Sequence, residues 1–314
     1  MDPVCHTLAG AALGEAGLKT RTSLGMATLL LAANVPDVDV LAYATDALAV
    51  HVRRGWTHGP IGLVVLPLAL AGLMFAWDRI VRQRRAHAPP PASWAGLVLL
   101  AYIGALSHPV LDFLNSYGIR LLMPFSEEWY YGDALYIVDP WMYVLLGGAI
   151  VAARWRARRG HARPARAARL GLGLAAVYVS LMLASNLVAR SAVEAGLVRA
   201  GLPPETRFMV TPVWANPFAR EVLIDTGDRY EKGFVWFEPR PHFRPAGFGL
   251  AINRDDPAVA IAARTARGQQ YLGWSRFPFF VVERIGGRTL VHINDARYAG
   301  DAQDGWARET IAIE

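Results

Sequence analysis

The stretch GPIGLVVLPLALAGLMFAW, residues 59–77, carries no charged side chain. About 20 apolar residues in helical form span the hydrocarbon core of a bilayer, so this stretch reads as a transmembrane helix. Three further runs of the same kind lie downstream. Ser93–Leu111 is interrupted only by His108, Ala134–Ala153 only by Asp139, and Leu170–Ala189 by nothing. Two shorter stretches precede the first run, Pro3–Leu18 and Thr22–Pro36. Each is long enough to cross a thin region or to form a half-inserted hairpin. The expected count is six membrane-embedded helices, with four spans plus an interfacial hairpin as the alternative.

Composition agrees with a membrane class. Of the 314 residues, 54% are hydrophobic and 18% charged, a skew away from ordinary soluble chains. No cleavable signal is expected, because a basic n-region is missing and Asp2 and His6 interrupt the first residues. The single Cys5 excludes an internal disulfide framework. A net charge of +6 invites a nucleic-acid reading. The arginines, however, cluster in short stretches beside apolar runs, which is the pattern of cytoplasmic membrane loops, and no nucleic acid is expected as a partner.

Those clusters set an orientation. Arg79, Arg82, Arg84 and Arg85 lie in one loop; Arg154, Arg156, Arg158, Arg159, Arg163, Arg166 and Arg169 lie in another; Lys19 and Arg21 mark the turn of the short pair. Placing these inside leaves residues 1–6, 35–58, 112–138 and everything after 190 outside. Arg53 and Arg54 are the exception. From about Arg199 the chain turns polar and rich in turns. Phe218–Ile224 and Tyr230–Phe237 alternate with period two around Asp225-Thr226-Gly227-Asp228, a hairpin signal. Phe277–Arg284 and Arg288–Ile293 flank Gly286-Gly287, and Pro257–Leu272 reads as one helix. The fold expected is mainly α: a polytopic membrane helical bundle over 1–192, then a small α+β extramembrane domain over 193–314, extracytoplasmic.

Polar residues then gather on the outer side: His6, Asp37, Asp39, His58, His108, Asp112, Asp133 and Asp139. His108 and Asp112 are four apart, so they share one helix face, extended by Asn115. Pro109 between them removes a backbone donor. Taken singly, Asp37 reads as an N-cap, His6 as a packing donor and His58 as a turn residue. Asp139 before Pro140 reads as an N-cap with proline at the first helical position. The Gly10 and Gly14 face beside His6 reads as close packing. Taken together, His6, Asp37, Asp39, His58, His108 and Asp112 point to a divalent metal, because bare ionisable groups at membrane depth need partners. Imidazole and carboxylate without thiolate suit zinc first, with manganese or iron as alternatives.

Four of these stretches carry a resemblance: MDPVCHTLAG (1–10), NVPDVD (34–39), RGWTH (54–58) and SHPVLDFLNSYG (107–118), with PF at 124–125 and DP at 139–140. Over residues 1–190 the chain resembles the YdjM-type inner-membrane proteins, described as membrane-bound metal-dependent hydrolases. The resemblance implies a multi-pass inner-membrane protein with His6, Asp37, Asp39, His58, His108 and Asp112 as metal ligands. The order His…Asp…His…HxxxD is also similar to zinc-dependent phospholipase C and related single-strand nucleases, a likeness of ligand order. Cys5 stands where the family has Thr or Ser, and reads as a small buried residue. Gly59 stands where Ser is common. The implied activity is hydrolysis of a phosphoester or ester at the lipid headgroup level, by water acidified towards ~7 on the metal. Asp39 or Asp133 would serve as general base, Arg54 would hold the substrate anion, and a membrane lipid would be the partner. A non-catalytic protein with a structural ion and a partner-binding outer domain is the second reading. A transporter is the third, disfavoured because the acids gather at one face and no inverted repeat is visible.

Overall fold

The computed structural model of the chain describes residues 1–45, 48–238, 240–299 and 305–313. About half of the described residues are helical. The helices are α1 (Pro3–Glu15), α2 (Gly25–Ala32), α3 (Ala49–Val52), α4 (Pro60–Trp77), α5 (Trp94–Phe113), α6 (Pro140–Arg158), α7 (Ala165–Arg199), α8 (Pro257–Arg264) and α9 (Ala266–Trp274). The strands are β1 (Phe208–Val213), β2 (Asn216–Asp225), β3 (Arg229–Phe237), β4 (Pro241–Ala251), β5 (Pro278–Ile285), β6 (Arg288–Asp295) and β7 (Arg308–Ile313). Two compact units result, Met1–Leu41 with Arg53–Leu183, and Ala42–Val52 with Ala184–Glu314.

In the first unit the sequence writes its own helix starts. Asp2 accepts from the Val4 and Cys5 amides ahead of Pro3, Ser93 accepts from the Gly96 amide, and Asp139 accepts from the Trp141 and Met142 amides ahead of Pro140. Three helices are long and apolar enough to cross a membrane: Pro60–Arg82, where α4 continues through a π-turn, then α5 and α7. A fourth is reached if α2 and the 3₁₀ segment Val35–Ala44, bent by 49°, are counted as one span. The expected run Ala134–Ala153 differs. Its helix, α6, begins only at Pro140, because the residue before a proline is pushed out of the helical region and Asp139 already caps the start. Its closing turns then hold Arg154, Arg156 and Arg158. Ile61, Val64, Val65, Leu68 and Leu73 of α4 and Leu170, Leu174, Val177 and Leu181 of α7 are exposed. Such faces suit hydrocarbon and not water.

The helices of this unit have two chemically distinct ends. At one, Thr22 Oγ1 accepts from the Ser93 amide (2.9 Å) and Arg82 donates to Ser23 (3.1 Å). There too Arg154 pairs with Glu15 (2.9 Å) and Arg169 donates to the Ala16 carbonyl (2.9 Å). The Lys19–Arg21 turn and three arginines of the basic loops therefore meet at one end. His6 and His108 lie toward the other, about 14 Å further along α1 and about 20 Å further along α5 at 1.5 Å per residue. Between the ends, α1 packs on α2 through Gly10 and Gly14. Cys5 is buried in the apolar cluster with Leu111, Leu114, Leu135 and Met142.

The second unit holds two antiparallel sheets, ordered β1-β2-β3-β4 and β5-β6-β7. Alternation assigns the two faces of the first sheet. Val210, Val222, Ile224 and Val235 pack against Ala189, Val193 and Leu197 of α7. Met209, Leu223, Tyr230 and Leu250 pack against Phe277 and Phe279 beside β5 and at its start. Both expected hairpins form. The Gly286-Gly287 turn (φ 59° and 80°) joins the Ile285↔Arg288 pair, a backbone that glycine adopts without strain. The expected helix Pro257–Leu272 is broken at Thr265, whose hydroxyl accepts from the Gly268 amide and starts α9 afresh. Sequence patterning missed β1, β4 and β7. All three are edge strands, where Pro212, Pro241 and Pro245 are tolerated and the alternation lapses.

Candidate metal centre

The centre is assembled from distant segments of the first unit. Helix α5 supplies His108 and Asp112 one turn apart, both fully buried. The 3₁₀ segment after Pro36 supplies Asp37, and the turn before α4 supplies His58. These four residues each offer one donor atom, and the four atoms lie within 4.8 Å of one another. His58 Nε2 and His108 Nε2 are 3.1 Å apart, and each is 3.4 Å from Asp112 Oδ2. Asp37 Oδ1 stands 3.8 Å from His58 Nε2 and 3.7 Å from His108 Nε2. Bonds of about 2.0–2.2 Å to a tetrahedral ion require donor–donor edges of about 3.3 Å, so this shell needs little contraction to hold one.

The tautomers favour the same outcome. His108 Nδ1 lies 2.7 Å from the Ala33 carbonyl, which can only accept, so the proton sits on Nδ1 and the Nε2 lone pair faces the centre. His58 Nδ1 is 2.9 Å from Thr57 Oγ1 and 3.4 Å from Asp39 Oδ2, and Thr57 itself donates to Asp39 at 3.2 Å. A proton on that Nδ1 likewise aims Nε2 inward. Two imidazole lone pairs 3.1 Å apart, beside a buried Asp112 Oδ2 that accepts no hydrogen bond, form no hydrogen bond with each other. They call for a shared cation.

Around the four, other predicted residues take supporting positions. His6 stacks on His108 with centroids 3.7 Å apart, and its Nε2 is 3.3 Å from Asp112 Oδ1, the outer oxygen. The Met1 α-amine touches that same oxygen. Asp39 accepts from the Arg54 amide (2.7 Å) and from Arg53 (3.4 Å). Arg54 is buried; it pairs with Asp112 at 2.9 Å, donates to Asn115 and the Gly118 carbonyl, and lies over the Tyr117 ring. Its partners are thus protein groups, in place of the substrate anion expected from sequence. Arg53 donates to Asp37 at 2.6 Å. The two arginines that broke the inside-positive pattern are therefore ion-paired in the site. Asp133 is buried at a φ of 49°, and the Gly132 and Ala134 amides on either side bond the Phe113 and Leu114 carbonyls at the end of α5. Asp139 caps α6 and accepts from Tyr178 at 3.1 Å, apart from the four donors.

Sequence reasoning overlooked Thr57 and Arg53, although both sit inside or beside the quoted RGWTH motif. It had no means of finding the Ala33 carbonyl. Gly59 has a steric reason: a Cβ there would stand 2.0 Å from the Met123 carbonyl oxygen, so a serine requires the 123 loop to move. Asp39→Asn tests the supporting shell. Loss of the carboxylate that orients a ligating histidine lowers metal affinity about 10–100-fold. Competition with a chromogenic chelator reads that loss, and an unchanged affinity removes Asp39 from this role.

No curated protein and no solved structure matches the chain. The family model described as YdjM inner membrane protein matches residues 1–191, a stretch that holds every residue of the centre. A match over more than half of its length makes this chain a member of the YdjM inner membrane protein family.

Proposed function

We propose that this inner-membrane protein is a metal-dependent hydrolase acting on a phosphoester or ester at the lipid headgroup level. The observation that carries the reading is the pair of inward-facing imidazole nitrogens 3.1 Å apart beside the unpartnered oxygen of Asp112. His58, His108, Asp112 and Asp37 would hold the ion, zinc by the nitrogen–oxygen donor set, with manganese or iron as alternatives. Bound there, a divalent ion supplies Lewis acidity and acidifies water towards ~7. The protein's own groups do the rest. Asp39 fixes the His58 tautomer, Ala33 fixes that of His108, and Arg54 orients Asp112. Asp37 is the one half-buried member among four donors and marks the side from which substrate enters. Asp133, held at the end of α5, is assigned the proton transfer.

The site faces the outer leaflet in this proposal, and the second unit is extracytoplasmic. The gathering of Lys19, Arg21, Arg82, Arg154 and Arg169 at the opposite end of the helices supports that orientation. A lipid is the partner that this depth suits. A structural ion site is the second reading, favoured by one observation: four protein donors already fill a tetrahedral shell. The two separate cleanly in one experiment. Purified protein in mixed phospholipid micelles is assayed for release of phosphorylated headgroup and of fatty acid, with and without chelator. Chelator-sensitive turnover supports the hydrolase; bound metal with no turnover of phosphoesters or esters, and lost stability on chelation, selects the structural site.

A further inference from the structure

The β1–β2 hairpin carries chemistry that the metal centre does not use. Val213 pairs with Asn216, leaving Trp214 and Ala215 as a two-residue loop. Such loops favour Asn, Asp and Gly, because both positions turn left-handed. Here Ala215 adopts φ 57° without glycine's freedom, and Trp214 is 60% exposed. Phe218, four residues on, is 68% exposed, and its amide donates to Asn216 Oδ1. Residues 208–219 contain no charge at all. Two large exposed aromatics on an uncharged tip are unfavourable in water, and the second unit's core does not use them.

The hairpin's course says what covers the tip. Arg190 lies under the Phe208 ring (4.9 Å), Asn186 donates to the Val210 carbonyl (2.9 Å), and Ser185 accepts from Arg220 Nε (3.1 Å), the partner of Pro212 in the ladder. As β1 advances from 208 to 212, its neighbours on α7 recede from 190 to 185. The tip therefore points back along α7, past Arg190, the first charge after the uncharged run 170–189. The last turns of that run, with exposed Leu187 and Val188, lie alongside the hairpin. An aromatic tip at the depth where an apolar helix leaves the bilayer matches the position Trp and Phe take at a membrane interface.

We infer that the Trp214–Phe218 tip inserts into the lipid headgroup region where α7 emerges, a second membrane contact independent of the spans and of the metal. Its occupant is phospholipid. The test uses the full chain in vesicles of phosphatidylcholine and phosphatidylglycerol, in a Cys5→Ala background. Nitroxide labels are placed at Trp214→Cys, Phe218→Cys and, as a control, Asp228→Cys. Asp228 lies just past the opposite end of β2, about 30 Å away. Labels at 214 and 218 should collide more with oxygen than with a water-soluble nickel chelate, and the label at 228 should show the reverse. Labels at 214 and 218 that are as accessible to nickel as 228 overturn the proposal. So does spin–spin broadening at 214, the mark of a second copy seated there.

Discussion

His108→Ala should strip the protein of its metal. Wild-type protein purified without chelator is expected to carry a transition metal at or above one ion per chain, and the variant none by mass spectrometry. Two properties of His108 make the effect large. Its Nε2 shares three of the six donor–donor edges of the shell, at 3.1, 3.4 and 3.7 Å. Its ring also supports His6, which stacks on it. Removing it leaves three donors and frees His6 to rotate. Asp112→Asn keeps shape and removes the charge, so it separates loss of a ligand from loss of packing. It should lose metal while keeping the helical far-ultraviolet signal. Stoichiometric metal retained in His108→Ala, or none in wild type, sinks the centre as described.

The second large effect lies in the other unit and concerns stability. Asp295, at the end of β6, is fully buried and paired with buried Arg297 at 2.8 Å. Its two oxygens also accept from Ser275 Oγ (2.7 Å), the Arg276 amide (2.8 Å) and the Arg297 amide (2.9 Å). Arg297 lies over Trp274 at 4.8 Å and over Tyr298 at 5.1 Å, and donates to the Trp274 carbonyl. The group therefore ties α9 to the end of β6. Burial pushes the Asp295 carboxyl upward, but the Arg297 charge and the hydrogen bonds outweigh it, and the carboxyl sits below its ordinary range. Asp295→Ala leaves Arg297 buried without a counter-charge, which costs about 3–5 kcal/mol. Hydrogen exchange of β5 and β6 amides in the full chain should speed up accordingly, while α5 amides stay protected. A loss under about 1 kcal/mol would refute the role, since that is what an exposed pair contributes. The pH sign follows from the lowered carboxyl. Its stabilisation is present above the unfolded value near ~3.9 and is lost as pH falls through the folded value, so β5–β6 protection should drop only below about pH 4.

Legibility in the sequence followed the range of each interaction. The apolar runs, the Asp2-Pro3 and Asp139-Pro140 helix starts and the His108–Asp112 pair depend on neighbours within a turn or two, and all were readable. The Gly286-Gly287 hairpin was readable for the same reason. What the four donors share is proximity across about 50–70 positions, which no periodicity encodes; the motifs named the residues, and only the fold set His58 Nε2 against His108 Nε2. Arg53 and Arg54 were misread as loop cations because their partners, Asp37, Asp39 and Asp112, lie fourteen to fifty-eight positions away. The break at Thr265 was hidden by a hydroxyl that suits a helix interior poorly and a helix start well.

The dispersal of the four donors also fixes an order in time. During synthesis Asp37 and His58 leave the ribosome some fifty residues before His108 and Asp112 do. For that interval an acid and an imidazole have neither counter-ion nor neighbour, and the α2 turn carrying Asp37 lacks the helix against which it will pack. Arrival of α5 closes the cage in a single event. Maturation of the protein is thus gated by insertion of its third long apolar segment, and a ribosome stalled before residue 108 should hold a nascent chain unable to take up any ion.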